Sequence, residues 1–435
     1  MVLVGIPYFV GLGLLDSAPS LTNYKMHLSK RFLYSLEEYQ LAKSYVARSV
    51  FKAPPFKLDE IIKASKLPNA ISLAFGEPDQ ATPNHITRAA IEALKKGFTH
   101  YTAEKGYIHL REAISRKLKR ENGMEADPHS EILVTCGSGQ AVDFALRATL
   151  NPKDEVLTPS PGYFAYQYCL RFIGAKAVWY PVLEDNEFKP RPDDIEGRVT
   201  SRTRMVILNS PSNPTGAVLD KETLRGIAEI AVDHDLMVLS DEIYEKLVYD
   251  GERHHSIASL PEMADRTITI NGFSKAYAMT GWRVGYAVAT REIIEAMSKI
   301  QSNTCVCASA ASQIAALAAL TGPQECVESM LKEYRRRRDL VVNRLNEIEG
   351  FSCGTPRGAF YVFPNITALG MSSQEAFKLL AEKARVGTMP GSFFGELGEG
   401  YLRISYANSY VNIAKALKRI ERLHFKKKDL SPARD

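Results

Sequence analysis

Met205-Val-Ile-Leu-Asn209 runs without a break into Ser210-Pro-Ser-Asn-Pro-Thr-Gly216. An apolar run closed by a proline-rich turn reads as a buried strand, and the turn delivers Asn213 at the strand's carboxyl end. Two later segments repeat the arrangement: Met237–Ser240 runs into Asp241-Glu-Ile-Tyr244, and Thr267–Asn271 into Gly272-Phe-Ser-Lys275. Ligands of open α/β sheets bind at the carboxyl ends of parallel strands, so an Asn, an Asp, a Tyr and a Lys set there converge on one crevice.

Working outward, Ile132–Thr135, Glu155–Thr158, Ala177–Tyr180 and Val284–Val288 also read as strands. Helical patterns over residues 140–150, 164–173 and 221–234 alternate with them. This rhythm predicts an α/β fold, a three-layer α/β/α large domain over residues 84–322 with a mostly parallel sheet. Beyond Pro323 the pattern becomes α+β: a long helix, strands at Ala359–Phe363 and Tyr401–Tyr406, a helix over residues 373–384 and a terminal helix. Residues 41–83 and 323–435 are expected to form a smaller, discontinuous α+β domain. Residues 1–40 read as an N-terminal extension.

Composition narrows the function. The 435 residues carry 55 basic and 50 acidic side chains, a formal charge of +5 with no strongly basic stripe, which argues against a nucleic-acid partner. Met1–Leu15 is almost wholly apolar, yet it is too short to span a bilayer and has no basic leader, so no membrane anchor is expected. The 6 cysteines include no CxxC pair and no histidine stands at ligand spacing, which fits a reduced cytoplasmic protein without a metal site. Cys305 and Cys307 read as core residues. The basic run Arg335–Arg338 reads as a solvated helix face with a few ion pairs.

The candidate site residues share one chemistry. Lys275, after a strand and before Ala-Tyr-Ala-Met-Thr-Gly-Trp-Arg283, would enter a pocket where desolvation and nearby cations free its amine to form a Schiff base. Asp241 is the acid to set against a pyridine nitrogen, keeping the ring protonated as an electron sink. Alone it would equally serve as a helix cap. Tyr244 lies within reach of the same ring, and Asn213 offers an amide to a phenolic oxygen. Gly137-Ser138-Gly139 follows a strand and opens a helix, where free backbone amides accommodate a phosphate dianion. Arg283 and Ser274 would complete the phosphate site from the Lys275 loop. Arg403, between apolar residues on a strand, would need an anionic partner such as a substrate carboxylate. These groups suit pyridoxal 5'-phosphate (PLP).

In this order the segments resemble the class I/II aminotransferases, fold type I PLP-dependent enzymes of the aspartate aminotransferase superfamily. The likeness covers roughly Ala70 to Leu423, and its most specific stretch is Ser274-Lys-Ala-Tyr-Ala-Met-Thr-Gly-Trp-Arg-Val-Gly-Tyr286. Asn213-Pro-Thr-Gly216 and Asp241-Glu-Ile-Tyr244 precede it at the expected distances. The resemblance implies that Lys275 carries the cofactor, with Asp241 on the pyridine nitrogen and Asn213 and Tyr244 on the phenolic oxygen. It implies Arg283, Gly137, Ser138 and Gly139 on the phosphate and Tyr163 stacked on the ring. Gly76 and Arg403 would hold the substrate α-carboxylate, and Tyr101 would reach the phosphate of a neighbouring subunit, making a homodimer.

Two positions depart from the family pattern. Gly272 stands where a phosphate-binding serine is common, so one hydrogen bond is missing or replaced. Aspartate-specific relatives use a lysine or an arginine for the second carboxylate; here Gly139 stands at the lysine position, and the region Lys299–Cys305 holds no arginine. The resemblance therefore implies a ping-pong transaminase for an L-amino acid and a 2-oxo acid, with glutamate and 2-oxoglutarate as one pair and a lean toward neutral or aromatic side chains. A carbon–sulfur β-lyase of the same fold, and a non-catalytic PLP-binding regulator, remain open alternatives, because fold does not settle reaction type.

Overall fold

The computed structural model describes residues 45–51, 58–423 and 425. The chain divides into two units, residues 1–54 and 55–435. Of the first, the described part holds a short helix, Arg48–Phe51. The extension expected over residues 1–40 lies outside the described residues. Everything that follows belongs to the second unit.

Its strands are β1 (Ile71–Ser72), β2 (Ile132–Thr135), β3 (Glu155–Ser160), β4 (Lys176–Pro181), β5 (Thr203–Asn209), β6 (Met237–Asp241), β7 (Thr267–Gly272) and β8 (Gly285–Val288). Four shorter ones follow: β9 (Tyr361–Val362), β10 (Val386–Gly387), β11 (Met389–Pro390) and β12 (Leu402–Ser405). Strands β2 to β8 form a 7-stranded sheet in the order β2-β8-β7-β6-β5-β3-β4. Neighbours are parallel except at β8, which runs antiparallel to both β2 and β7.

The central strands are apolar on both sides because helices cover both faces. Met205 and Ile207 of β5 pack with Ala141 and Val142 of the helix Ser138–Thr149 and with Ile294 of the helix Arg291–Ser302. Val206 and Leu208 point the other way, onto Leu224, Ile227 and Ala231 of the helix Lys221–Asp233. A separate core joins Ile61 and Leu73 to the helices Glu325–Asn346 and Tyr410–Glu421 and to β9 and β12. There β9, β11 and β12 form an antiparallel sheet, and β1 pairs with β10.

One expectation is corrected. Of Arg335–Arg338, Arg335 and Arg336 are exposed and ion-paired as expected, but Arg337 and Arg338 are only 5% and 3% exposed and do not belong to a solvated face. Arg337 pairs with Asp79 at 2.7 Å and with Glu333, and Arg338 pairs with Asp250 at 2.7 Å and with Asp339. The helix lies against loops that carry the matching carboxylates, so the cations turn inward.

Candidate active site

The carboxyl ends of β5 and β6 lie side by side, with Asn209 in register with Asp241, and β7 ends next to them. A cavity of about 480 Å³ opens there. Of the residues singled out from sequence, Gly76, Ser138, Gly139, Tyr163, Asn213 and Asp241 line it. So do Tyr244, Ser274, Lys275, Arg283 and Arg403. Gly137 lies directly behind Arg283, and a Cβ there would sit 2.6 Å from Arg283 Nη2.

Lys275 leaves the end of β7 and its Nζ donates to the Gly76 carbonyl at 2.6 Å. Burial first, and then the nearby cations Arg403 and Arg283, bring its amine down to about 8, against the opposing pull of Glu77 and Asp241. Most of the amine is still protonated at neutral pH, but its neutral, nucleophilic fraction is far larger than that of an exposed lysine. Asp241, last residue of β6, is 5% exposed and accepts from the Tyr166 hydroxyl at 2.7 Å and from the Ile243 amide at 3.3 Å. Burial pushes its carboxyl up to about 6, and the Tyr166 and Ile243 hydrogen bonds restrain the rise.

Asn213 is fixed at both ends. Its backbone amide donates to Asn209 Oδ1 at 2.7 Å, and its side-chain oxygen accepts from Arg403 Nη1 at 2.9 Å. Arg403, on β12, is 4% exposed. Its Nη2 donates to the Ala74 carbonyl and to Met389 Sδ, while its buried Nε has no partner. Among the described residues these partners are all neutral, so the guanidinium is a buried cation without a counter-ion. Such a charge is costly unless an anion arrives.

At the opposite wall the helix Ser138–Thr149 presents its N-terminus, with no acidic residue in the first turn. Gly137 precedes it at φ 89°, a conformation suited to glycine, and its missing side chain leaves room for the Arg283 guanidinium. Open backbone amides, a helix start and Arg283 together form an anion cradle. Tyr163 packs edge-on to Tyr166, ring centroids 5.4 Å apart, and burial pushes its hydroxyl up to about 12.

Tyr101 is 82% exposed and stands outside this cavity, in a separate surface hollow with Leu94, Phe98 and Cys307. Cys305 and Cys307 are half-buried and accept from Gln140 and from the Thr102 amide, respectively. Glu242, Glu245 and His254 cluster behind the Asp241–Tyr244 turn. Their carboxylates are already partnered by Ser240, Ser256, Asn122, His254 and Lys117.

Two side chains at the site escaped the sequence reading, Tyr166 and Tyr361. Tyr166 stands in the first turn of the helix Ala165–Ile173, three residues after Tyr163, which precedes the helix, so its nearness in sequence was a signal. Tyr361, whose hydroxyl meets that of Tyr244 at 2.7 Å, is 117 positions distant in sequence and left none.

The model of the family "Aminotransferase class I and II" matches residues 68–420. The chain belongs to the class I and II aminotransferases. It is 47% identical over 367 residues to aromatic-amino-acid aminotransferase 2 of Thermococcus litoralis, covering 84% of this chain and 94% of that protein. An aspartate aminotransferase of Pyrococcus abyssi is also 47% identical, with the same shares of each chain covered. The crystal structure of the aromatic aminotransferase from Pyrococcus horikoshii superposes with a TM-score of 0.80 at 48% identity, over 84% of this chain and 98% of that one. The protein is therefore a PLP-dependent aminotransferase with the fold type I architecture, and neither the lyase nor the regulator alternative is favoured. No described helix of this aminotransferase is long and apolar enough to cross a membrane.

The cavity fits the cofactor of the family. Its volume lies within the range of about 300–1,000 Å³ usual for small-molecule sites. An anion cradle, a lysine whose amine is brought down to about 8, a buried carboxylate and an uncompensated arginine stand around it, the set that PLP and an amino acid carboxylate require.

Proposed function

We propose that this enzyme moves an amino group from an L-amino acid to a 2-oxo acid in two half-reactions, with the cavity residues in the following roles. Ser138, Gly139 and Ser274 hold the phosphate with Arg283, which Gly137 makes room for. Asp241 faces the pyridine nitrogen, Asn213 and Tyr244 face the phenolic oxygen, and Tyr163 covers the ring. Bound there, PLP supplies an aldehyde for amines and a ring that stores the electron pair left when the substrate Cα–H bond breaks. Lys275 anchors the cofactor, and its released amine takes the Cα proton and gives it back on the cofactor side. Arg403 grips the α-carboxylate beside Gly76 and Asn213.

The observation that carries this reading is the pairing of Lys275, brought down to about 8, with Arg403, a buried cation held only by neutral groups. One provides the nucleophile and proton carrier, the other the anion site that orients an amino acid.

The side-chain direction is lined by Leu58, Phe75, Val142, Tyr163 and Phe164. The lining cations Lys275, Arg283 and Arg403 are all assigned, which favours neutral or aromatic amino acids, with glutamate and 2-oxoglutarate as the recurring pair. Tyr101 lines a surface hollow with the exposed apolar residues Leu94 and Phe98, which supports a homodimer in which Tyr101 reaches the partner's phosphate. Mixing the inactive variants Tyr101→Ala and Lys275→Ala would regenerate activity if sites are shared. The six free cysteines fit a reducing cytoplasm. The expected division is a large domain over residues 84–322 and a small one from 41–83 plus 323–435; from residue 58 on it is supported by the core that joins Ile61 and Leu73 to the helices Glu325–Asn346 and Tyr410–Glu421, which also takes in Ile243 and Tyr244.

The test is an absorption spectrum of the PLP-loaded protein. A visible band that bleaches on adding an amino acid and returns with a 2-oxo acid supports the reading and ranks substrates. Release of ammonia and pyruvate from cystathionine without an acceptor would overturn it in favour of the lyase.

A further inference from the structure

Tyr361, at the start of β9, is 1% exposed and lines the cavity, yet none of the roles above uses it. Its contacts are specific. Its hydroxyl oxygen lies 2.7 Å from that of Tyr244. The Arg403 guanidinium carbon sits over its ring, 4.5 Å from the centroid. A methyl group on Gly76 would fall 1.8 Å from its hydroxyl, so the chain keeps a glycine where this hydroxyl enters the site.

We infer that Tyr361 is a positioning residue that joins the carboxylate grip of Arg403 to the phenolic-oxygen contact of Tyr244. The inference rests on the roles assigned above to those two residues. Once Tyr244 commits its proton to the phenolic oxygen, its own oxygen is free to accept, and the Tyr361 hydroxyl is the donor in reach. A donor behind a donor strengthens the forward hydrogen bond, because each polarises the next in a low-dielectric interior. The ring meanwhile holds Arg403 by a cation–π contact, together with Phe394 at 4.9 Å. One side chain thus supports both ends of the substrate's approach, its hydroxyl through Tyr244 and its ring through Arg403. The charged groups facing this pair are Arg403, Lys275 and Asp241, with the Tyr163 hydroxyl nearby.

The experiment is a pH titration of the visible cofactor band in four proteins: wild type, Tyr361→Phe, Tyr244→Phe and the double variant. Wild type must first show the band and its bleaching by an amino acid, and failure there would count against the proposed function rather than against Tyr361. Weakening donation to a phenolate raises the pH at which the chromophore loses its proton. Tyr361→Phe should therefore move the midpoint up by about half to one pH unit and lower kcat roughly two- to tenfold, with KM unchanged. Tyr244→Phe should move it further, and the double variant should match Tyr244→Phe alone, since Tyr361 acts through that hydroxyl. Tyr361→Ala, which also removes the ring under Arg403, should raise KM for the amino acid. A Tyr361→Phe midpoint equal to wild type, or shifts that add in the double variant, would overturn the inference.

Discussion

The hydroxyl of Tyr166 donates to Asp241 Oδ2 across 2.7 Å within the buried wall of the cavity. That bond restrains a carboxyl that burial has already raised to about 6. Without it Asp241 would take up a proton more readily and pair less well with a pyridinium. Tyr166→Phe should weaken PLP binding and lower kcat/KM roughly tenfold or more, the scale of a hydrogen bond to a charged group. Equilibrium cofactor titration and steady-state kinetics check it, and wild-type values in both would refute the role.

Lys275 should be indispensable and should titrate early. Lys275→Ala is expected to abolish turnover and to leave no borohydride-reducible link to PLP, and rates near wild type would refute the assignment. In the intact apoenzyme the neutral amine is the nucleophile, so the rate of PLP capture rises with pH through about 8. An exposed lysine would instead respond near about 10.4. Stopped-flow capture rates across this range distinguish the two.

Arg403 presents a planar fork, and Asn213 and the Ala74 carbonyl fix its orientation. Lysine keeps the charge but cannot make the bidentate grip. Arg403→Lys should raise KM for every amino acid and oxo acid alike, by roughly tenfold or more. An effect confined to one substrate would point to side-chain recognition instead.

Behind the cofactor wall, Lys117 pairs with Glu245, the two side chains being 2% and 10% exposed. Burial pushes the Glu245 carboxyl up, but Lys117, His254 and Asn122 outweigh it and bring it down to about 2. A carboxyl held below its ordinary value stabilises the fold above that value, and the contribution disappears as pH falls from 4.5 toward about 2. Lys117→Met would strand a buried carboxylate and should cost about 3–5 kcal/mol. Its stability deficit should be largest at neutral pH and shrink as pH falls, because burial then raises the stranded carboxyl and protonation relieves it. Denaturant and acid titrations followed by far-ultraviolet dichroism check both.

Much of this architecture was legible because the sheet is buried on both faces. The run Ile132–Thr135 gave strand limits that the structure reproduces to the residue, and the limits of the other strands of that sheet differ by one or two residues at one or both ends. The strand read as Glu155–Thr158 continues through Pro159 to Ser160, although a proline seldom sits inside a strand. Pairing with β5 ends at Leu157, so Pro159 lies where the strand has only β4 as a neighbour and its missing N–H breaks no ladder on the other side. Lys275, Asp241 and Asn213 were legible because each stands at or just after a strand end. The inward turn of Arg337 and Arg338 was not, since it depends on Asp79 and Asp250, far away in sequence. Tyr361 was hidden for the same reason.

The cavity draws Gly76, Lys275 and Arg403 from the beginning, middle and end of the described chain. Arg403 is the last of the lining residues in sequence, 120 positions after Arg283. A chain that ended before Arg403 would therefore still encode every other residue of the cavity wall and lack only its buried cation without a counter-ion.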